Sequence, residues 1–147
     1  MLAVYEFEFF DEDGHILAFP FDMEGGTQGR DPKEAAEMAA DWLKGEMEHR
    51  LMAGAPLPEA TFGNDPQHGG RVGIVAVDAN LDSIDTVSAT DAAELLGVSK
   101  ARVSQMLASG QLEGYRKGRA TLVTLESVKA RLADAPKPGR PRKAATA

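Results

Sequence analysis

The chain has 147 residues, 43% of them hydrophobic and 27% charged, with a formal charge of −7, enough for one ordinary domain or two small ones. No uncharged apolar run approaches the roughly 18 residues of a membrane span, and Met1 to Glu6 lacks the basic-then-apolar pattern of a secretory signal. The absence of cysteine excludes disulfides, thiolate metal sites and a Cys nucleophile, and fits a cytoplasmic location.

Residues 2–10 alternate Tyr5, Phe7 and Phe9 with Glu6 and Glu8, the period of a half-buried strand whose glutamates point to solvent. Asp11-Glu12-Asp13-Gly14 is a turn, and His15 to Phe21 is the returning strand of a hairpin, with Pro20 marking an edge or a bulge. Gly25-Gly26-Thr27-Gln28-Gly29 is rich in glycine for a strand and is read as a short third strand ending in a turn. A helix then starts with Asp31 as N-cap, Pro32 in the first position and Glu34 completing a capping box. Ala35, Ala39, Leu43, Met47 and Leu51 form its apolar stripe, and Gly54 and Pro56 stop it. Residues 55–69 are a loop. Arg71 to Val77 is a nearly continuous apolar strand, the pattern of a central sheet position. The order β-β-β-α-β predicts a small α+β layer with the helix on one face.

After a polar connector, Asp78 to Val87, the pattern becomes helical. Thr90 is read as the cap of a short helix, Asp91 to Leu96; Gly97-Val98 is a turn; Ser99 caps a second helix reaching about Ala108. Leu112 to Tyr115 and Thr121 to Leu125 form a hairpin around Lys117-Gly118-Arg119, and Glu126 to Ala133 is a last short helix. Residues 134–147, with three prolines and four basic residues, are expected to be disordered.

Charge divides along the same line. Residues 1–88 carry 18 acidic and 5 basic side chains, whereas residues 89–147 carry 5 acidic and 11 basic. The overall pI of about 4.9 therefore averages two modules of opposite sign, which suggests two different partners. A merely solvated acidic surface would account for the first half equally well.

Helix, glycine turn and capped helix at this spacing resemble a helix-turn-helix. Ala93 is the small residue at the helix crossing, and Leu96, Val98, Val103 and Met106 are the positions that lock the pair. Ser99, Lys100, Arg102, Ser104 and Gln105 are left outside, at a helix N-terminus suited to phosphate and base edges. Arg116, Lys117 and Arg119 would form a basic wing. The run from Ala92 through Gly97-Val98-Ser99 to Arg116-Lys117-Gly118-Arg119 and Glu126-Ser127-Val128 is similar to excisionase- and MerR-like winged helix-turn-helix domains over residues 88–133. A basic three-helix packing unit is the plainer alternative. In the tail, Gly139-Arg140-Pro141 between basic residues resembles an AT-hook placing Arg140 in a minor groove, although non-specific phosphate attraction explains a single copy better.

The first half carries its own resemblance. Tyr5-Glu6-Phe7, Asp11-Glu12-Asp13-Gly14, Ala18-Phe19-Pro20-Phe21, Gly26-Thr27-Gln28-Gly29, Pro32-Lys33-Glu34-Ala35 and Pro56-Leu57-Pro58 follow in order, as in the HicB family of antitoxins. The likeness spans residues 4–77. It departs at Phe21 to Gly25, where the family has a Pro-Gly-Cys step, and in carrying a winged domain rather than a ribbon-helix-helix. The resemblance implies a partial RNase H-like fold without catalysis in residues 1–80. It also implies an antitoxin that binds a HicA-like toxin, a small basic mRNA endonuclease, and represses its own operon. The winged helix-turn-helix is expected to bind its operator as a homodimer or higher homo-oligomer on an inverted repeat. Asp11, Glu12, Asp13, Asp22 and Glu24 are candidates for the toxin contact; turn formation and solubility serve as well for these residues.

Enzymatic readings fare worse. Asp78 ends the fourth strand without a second matched carboxylate, which two-metal nuclease chemistry requires. His15, His49 and His68 stand isolated, without metal-ligand spacing. Gly25-Gly26 and Gly29 lack the Lys-Ser/Thr of a phosphate loop. No catalytic residue, metal or cofactor is expected. The alternative function is a solitary DNA-binding regulator whose N-terminal module serves dimerisation or ligand sensing.

Overall fold

The computed structural model describes residues 1–134. The chain divides into two compact units, Met1–Ser83 and a second beginning at Ile84. The class is mixed α+β, with four α-helices and two antiparallel sheets among the described residues. The predicted tail lies outside them, Arg140 included, except for Asp134, which caps the last helix.

In the first unit, β1 (Leu2–Glu12), β2 (His15–Pro20), β3 (Thr27–Gly29) and β4 (Arg71–Asp78) form a sheet in the order β3-β2-β1-β4. Asp13 and Gly14, at φ 52° and 79°, form the two-residue turn between the paired Glu12 and His15. Two positive φ angles match the twist of the flanking strands, and Asp-Gly is a sequence that tolerates them. Pro20 ends β2 beyond the three residues that β3 covers, so the sheet accepts it.

Helix α1 (Pro32–Ala53) covers one face of this sheet. Asp31 accepts the Glu34 N–H at 2.8 Å, and Gly54 closes the helix in the left-handed region at φ 65°. The capping box is displaced by one residue: the Glu34 carboxylate takes the Arg30 N–H and guanidinium rather than the Asp31 N–H. Ala35, Ala39, Leu43 and Met47 are fully buried, and the last three pack with Ala3, Tyr5, Phe7, Ala18 and Val75. Trp42 meets Phe7 edge-on at 6.0 Å.

Two expectations are corrected in this unit. First, β4 pairs only with β1 and forms the edge of the sheet rather than its centre. Its run looks continuous because Val75 and Val77 pack into the helix-side core, whereas Ile74 lies on the other face, 63% exposed. Second, Glu6 and Glu8 do not point to solvent; they are buried, at 7% and 2% exposure. The covering element is the connection between α1 and β4.

In the second unit, β5 (Thr86–Ser88), β6 (Gly114–Lys117) and β7 (Ala120–Thr124) form a sheet in the order β5-β7-β6. The predicted hairpin thus gains a third strand from the connector, and β6 begins two residues late because Leu112 is a buried core residue. Helices α2 (Ala89–Leu96), α3 (Lys100–Ser109) and α4 (Leu125–Ala133) complete it. The α2 cap is Ser88, which accepts the Asp91 N–H at 3.0 Å, rather than Thr90. Ala92, Ala93, Val103, Met106, Leu112, Val123 and Val128 are the core, with Leu96 and Val98 packed against it.

Candidate functional site

In the first unit, the residues that draw the loop onto the sheet are carboxylates. Glu6 accepts the N–H groups of Gly63 at 3.2 Å and Asn64 at 3.0 Å, and the Asn64 side-chain amide at 2.8 Å. Glu8 accepts the N–H groups of Gln67, His68 and Gly70 at 2.8, 2.8 and 3.0 Å. Its fourth contact is with a side chain: His68 Nδ1 lies 3.1 Å from Glu8 Oε1. An ionised carboxylate only accepts, so Nδ1 carries the proton there. The imidazole also stacks on Phe10 at 4.3 Å, with Phe19 edge-on. His68 is therefore not isolated, as the sequence suggested.

These donors set the carboxyl equilibria. Burial alone would push Glu8 up, but the N–H groups of Gln67, Gly70 and His68, and the His68 ring, hold it at about 2. The Glu6 carboxyl is lowered by the Asn64 backbone and side-chain donors, against the effect of burial, with Gly63 adding to them.

Of the predicted protein-binding acids, Asp11, Glu12, Asp13 and Glu24 are exposed. Asp11 and Glu12 end β1 and Asp13 opens the β1–β2 turn. Asp22 is different: its two oxygens accept the Thr61 N–H at 2.9 Å and the Thr61 hydroxyl at 2.7 Å, so it anchors the loop. An open cleft of about 690 Å³ lies beside this loop, lined by Phe9, Phe10, Ile16, His68 and Arg71 among others. Among the described residues no group of three or more His, Asp or Glu is placed to hold a metal ion.

In the second unit, Gly97 ends α2 at φ 67° and turns the chain into Ser99, whose hydroxyl accepts the Arg102 N–H at 3.1 Å. Val103 and Met106 bury one side of α3. Ser99, Lys100, Arg102, Ser104 and Gln105 are all exposed on the helix that follows the turn. Gly118, at φ 63°, and Arg119 form the two-residue hairpin loop between Lys117 and Ala120, a turn with glycine in its first central position. Arg116 and Lys117 lie on β6, and Arg119 sits at the tip; all three are exposed.

Residues 86–135 match the helix-turn-helix domain family. They take in all of the second unit's described helices and strands. The chain is also similar in fold to a solved structure, a toxin–antitoxin complex from Streptococcus pneumoniae. The identity is 15%, the TM-score 0.50, and the alignment covers 76% of this chain and 99% of that one. A search of curated proteins gives no match. Among the described residues no helix is long and apolar enough to cross a membrane.

The helix-turn-helix domain thus holds together the exposed polar and basic residues expected on α3 and the wing. One contributor escaped the sequence reading. Gln111, just past α3, places its side-chain oxygen 3.4 Å from the Arg102 guanidinium. Gly110 at φ 81° was its signal, because a left-handed residue there folds the chain back along the helix it ends.

Proposed function

We propose that this chain is a HicB-like antitoxin and autoregulator. The observation that carries the reading is the pairing, in one chain, of a DNA-binding helix-turn-helix domain with a strongly acidic α+β unit. The likeness in fold to a toxin–antitoxin complex supports it. The β-β-β-α-β order supports assigning the first unit to the partial RNase H-like class.

In this reading the acidic unit neutralises a HicA-like toxin without catalysis. A balance of −13 over residues 1–88 speeds encounter with a cationic RNA-binding surface and complements it once bound. Asp11, Glu12, Asp13 and Glu24 are the exposed acids placed for that contact; Asp22 contributes through the loop it anchors. Helix α3 enters the major groove of operator DNA, and Arg116, Lys117 and Arg119 on the wing hold the backbone. The protein acts in the cytoplasm as a homodimer or higher homo-oligomer, which two operator half-sites require. The uncovered edge of β4, eight residues without proline, suits pairing with a second copy.

The test is co-expression of the full chain with any small basic protein found encoded beside it. A complex should co-purify and growth arrest by that protein should be relieved. Lys100→Ala should weaken operator binding in a gel shift at fixed salt and leave neutralisation intact. Absence of any complex would leave the second reading, a solitary ligand-sensing regulator, which the cleft beside His68 and Arg71 favours.

A further inference from the structure

Arg102 differs from the other well-held arginines of the chain in what holds it. Arg30 and Arg50 donate to the carboxylates of Glu34 and Glu46, which orient each guanidinium and also neutralise it. Arg102 instead donates from Nη1 to the side-chain oxygen of Gln105 and from Nη2 to that of Gln111, each at 3.4 Å. A guanidinium has donors only, so each amide must turn its oxygen toward it. The two amides orient the group while leaving its full positive charge.

The scaffold under this cluster is built from buried and capped residues. The Arg102 N–H is taken by the Ser99 cap, Gly110 reverses the chain, and Leu112, 2% exposed, anchors the segment by donating its N–H to the Met106 carbonyl at 3.1 Å. Gln111 is held between these two. Of the five guanidinium N–H groups, two are directed to the glutamines and three remain, enough for a two-pronged contact. The cluster sits on the exposed side of α3, in its first two turns and just beyond its last.

We infer that Arg102 is the side chain that reads a guanine in the major groove, and that Gln111, with Gln105, is a positioning residue that fixes its fork. This rests on the DNA-binding role of the domain. Two parallel donors match the O6 and N7 acceptors of guanine, which no other base presents together. Lys100, at the first position of α3, is by contrast a flexible point charge suited to a phosphate.

The experiment is selection from a random-sequence duplex DNA library by the full chain, followed by affinity measurement on the selected site over a range of salt. The wild-type chain should enrich a motif with one dominant G·C pair per half-site. Arg102→Ala should lose the preference at that pair alone, with affinity for the selected site falling about 10- to 100-fold. Gln111→Ala should soften the same preference several-fold while leaving the melting temperature and the salt slope unchanged, an outcome a structural role would not give. Lys100→Ala should weaken every sequence alike and reduce the salt slope by about one.

Uniform weakening by Arg102→Ala with a reduced salt slope would make it a phosphate contact and overturn the inference. Gln111→Ala without effect on the preference would remove the positioning role. Tight binding with no enriched motif would sink base reading while DNA binding stands. No binding to any duplex would overturn both.

Discussion

Glu8→Gln is expected to destabilise the first unit by about 2–3 kcal/mol, because an amide cannot accept all of the donors that converge on the carboxylate. Three backbone N–H groups and the His68 ring point at Glu8 from the 67–70 segment. In the variant the amide nitrogen must face at least one of them. Trp42, the chain's one tryptophan, lies against Phe7 in the core of this unit, so its fluorescence reports the unit's unfolding in urea. Acid gives the second readout. The Glu8 carboxyl titrates at about 2 when folded, against an ordinary 4.5. A group depressed in this way contributes its full stabilisation above 4.5 and loses it as the pH falls from there toward 2. The wild-type midpoint should therefore drop through that window, and the Glu8→Gln midpoint should fall less steeply. Equal acid slopes in the two proteins would show that the carboxylate does not anchor the loop.

Gly29→Ala is expected to cost about 3 kcal/mol, by forcing β3 away from the start of α1. A Cβ at Gly29 would clash with the backbone of Ala35 and Glu34, which cannot move without displacing the helix. Gly29 is fully packed and closes the Thr27-Gln28-Gly29 strand that carries one of the sequence resemblances. Its glycine is thus required by close approach of strand to helix rather than by a positive φ. Gly45→Ala is the matched control: it lies within α1 with nothing near its Cβ position. There alanine should stabilise by about 0.5–1 kcal/mol through helix propensity. Opposite signs for one chemical change, again followed at Trp42, would establish contact as the cause; a neutral Gly29→Ala would refute it.

Much of the architecture was legible in local chemistry. Asp31-Pro32 starts α1, Gly54 ends it, Asp13-Gly14 turns the hairpin, and Gly97 and Ser99 bound the turn between α2 and α3. Each rests on interactions within a few residues, so the residue types announce them. The misplaced α2 cap marks where this reasoning weakens: Ser88 and Thr90 are both good caps, and Ser88 wins as β5 extends to it through pairing with β7.

The sequence by itself determined the helix and strand boundaries to within a few residues, the opposite charges of the two halves, and the exposed residues of α3, because capping, turn and periodicity energies act over one or two turns of chain. Only the tertiary structure decided that Glu6 and Glu8 face inward, that β4 is an edge, and that Gln111 meets Arg102. Alternation along a strand says which residues share a face. It cannot say what covers that face. The covering loop lies more than fifty residues away from the strand in sequence, and its free N–H groups turn an apparent solvent face of carboxylates into a buried anchor.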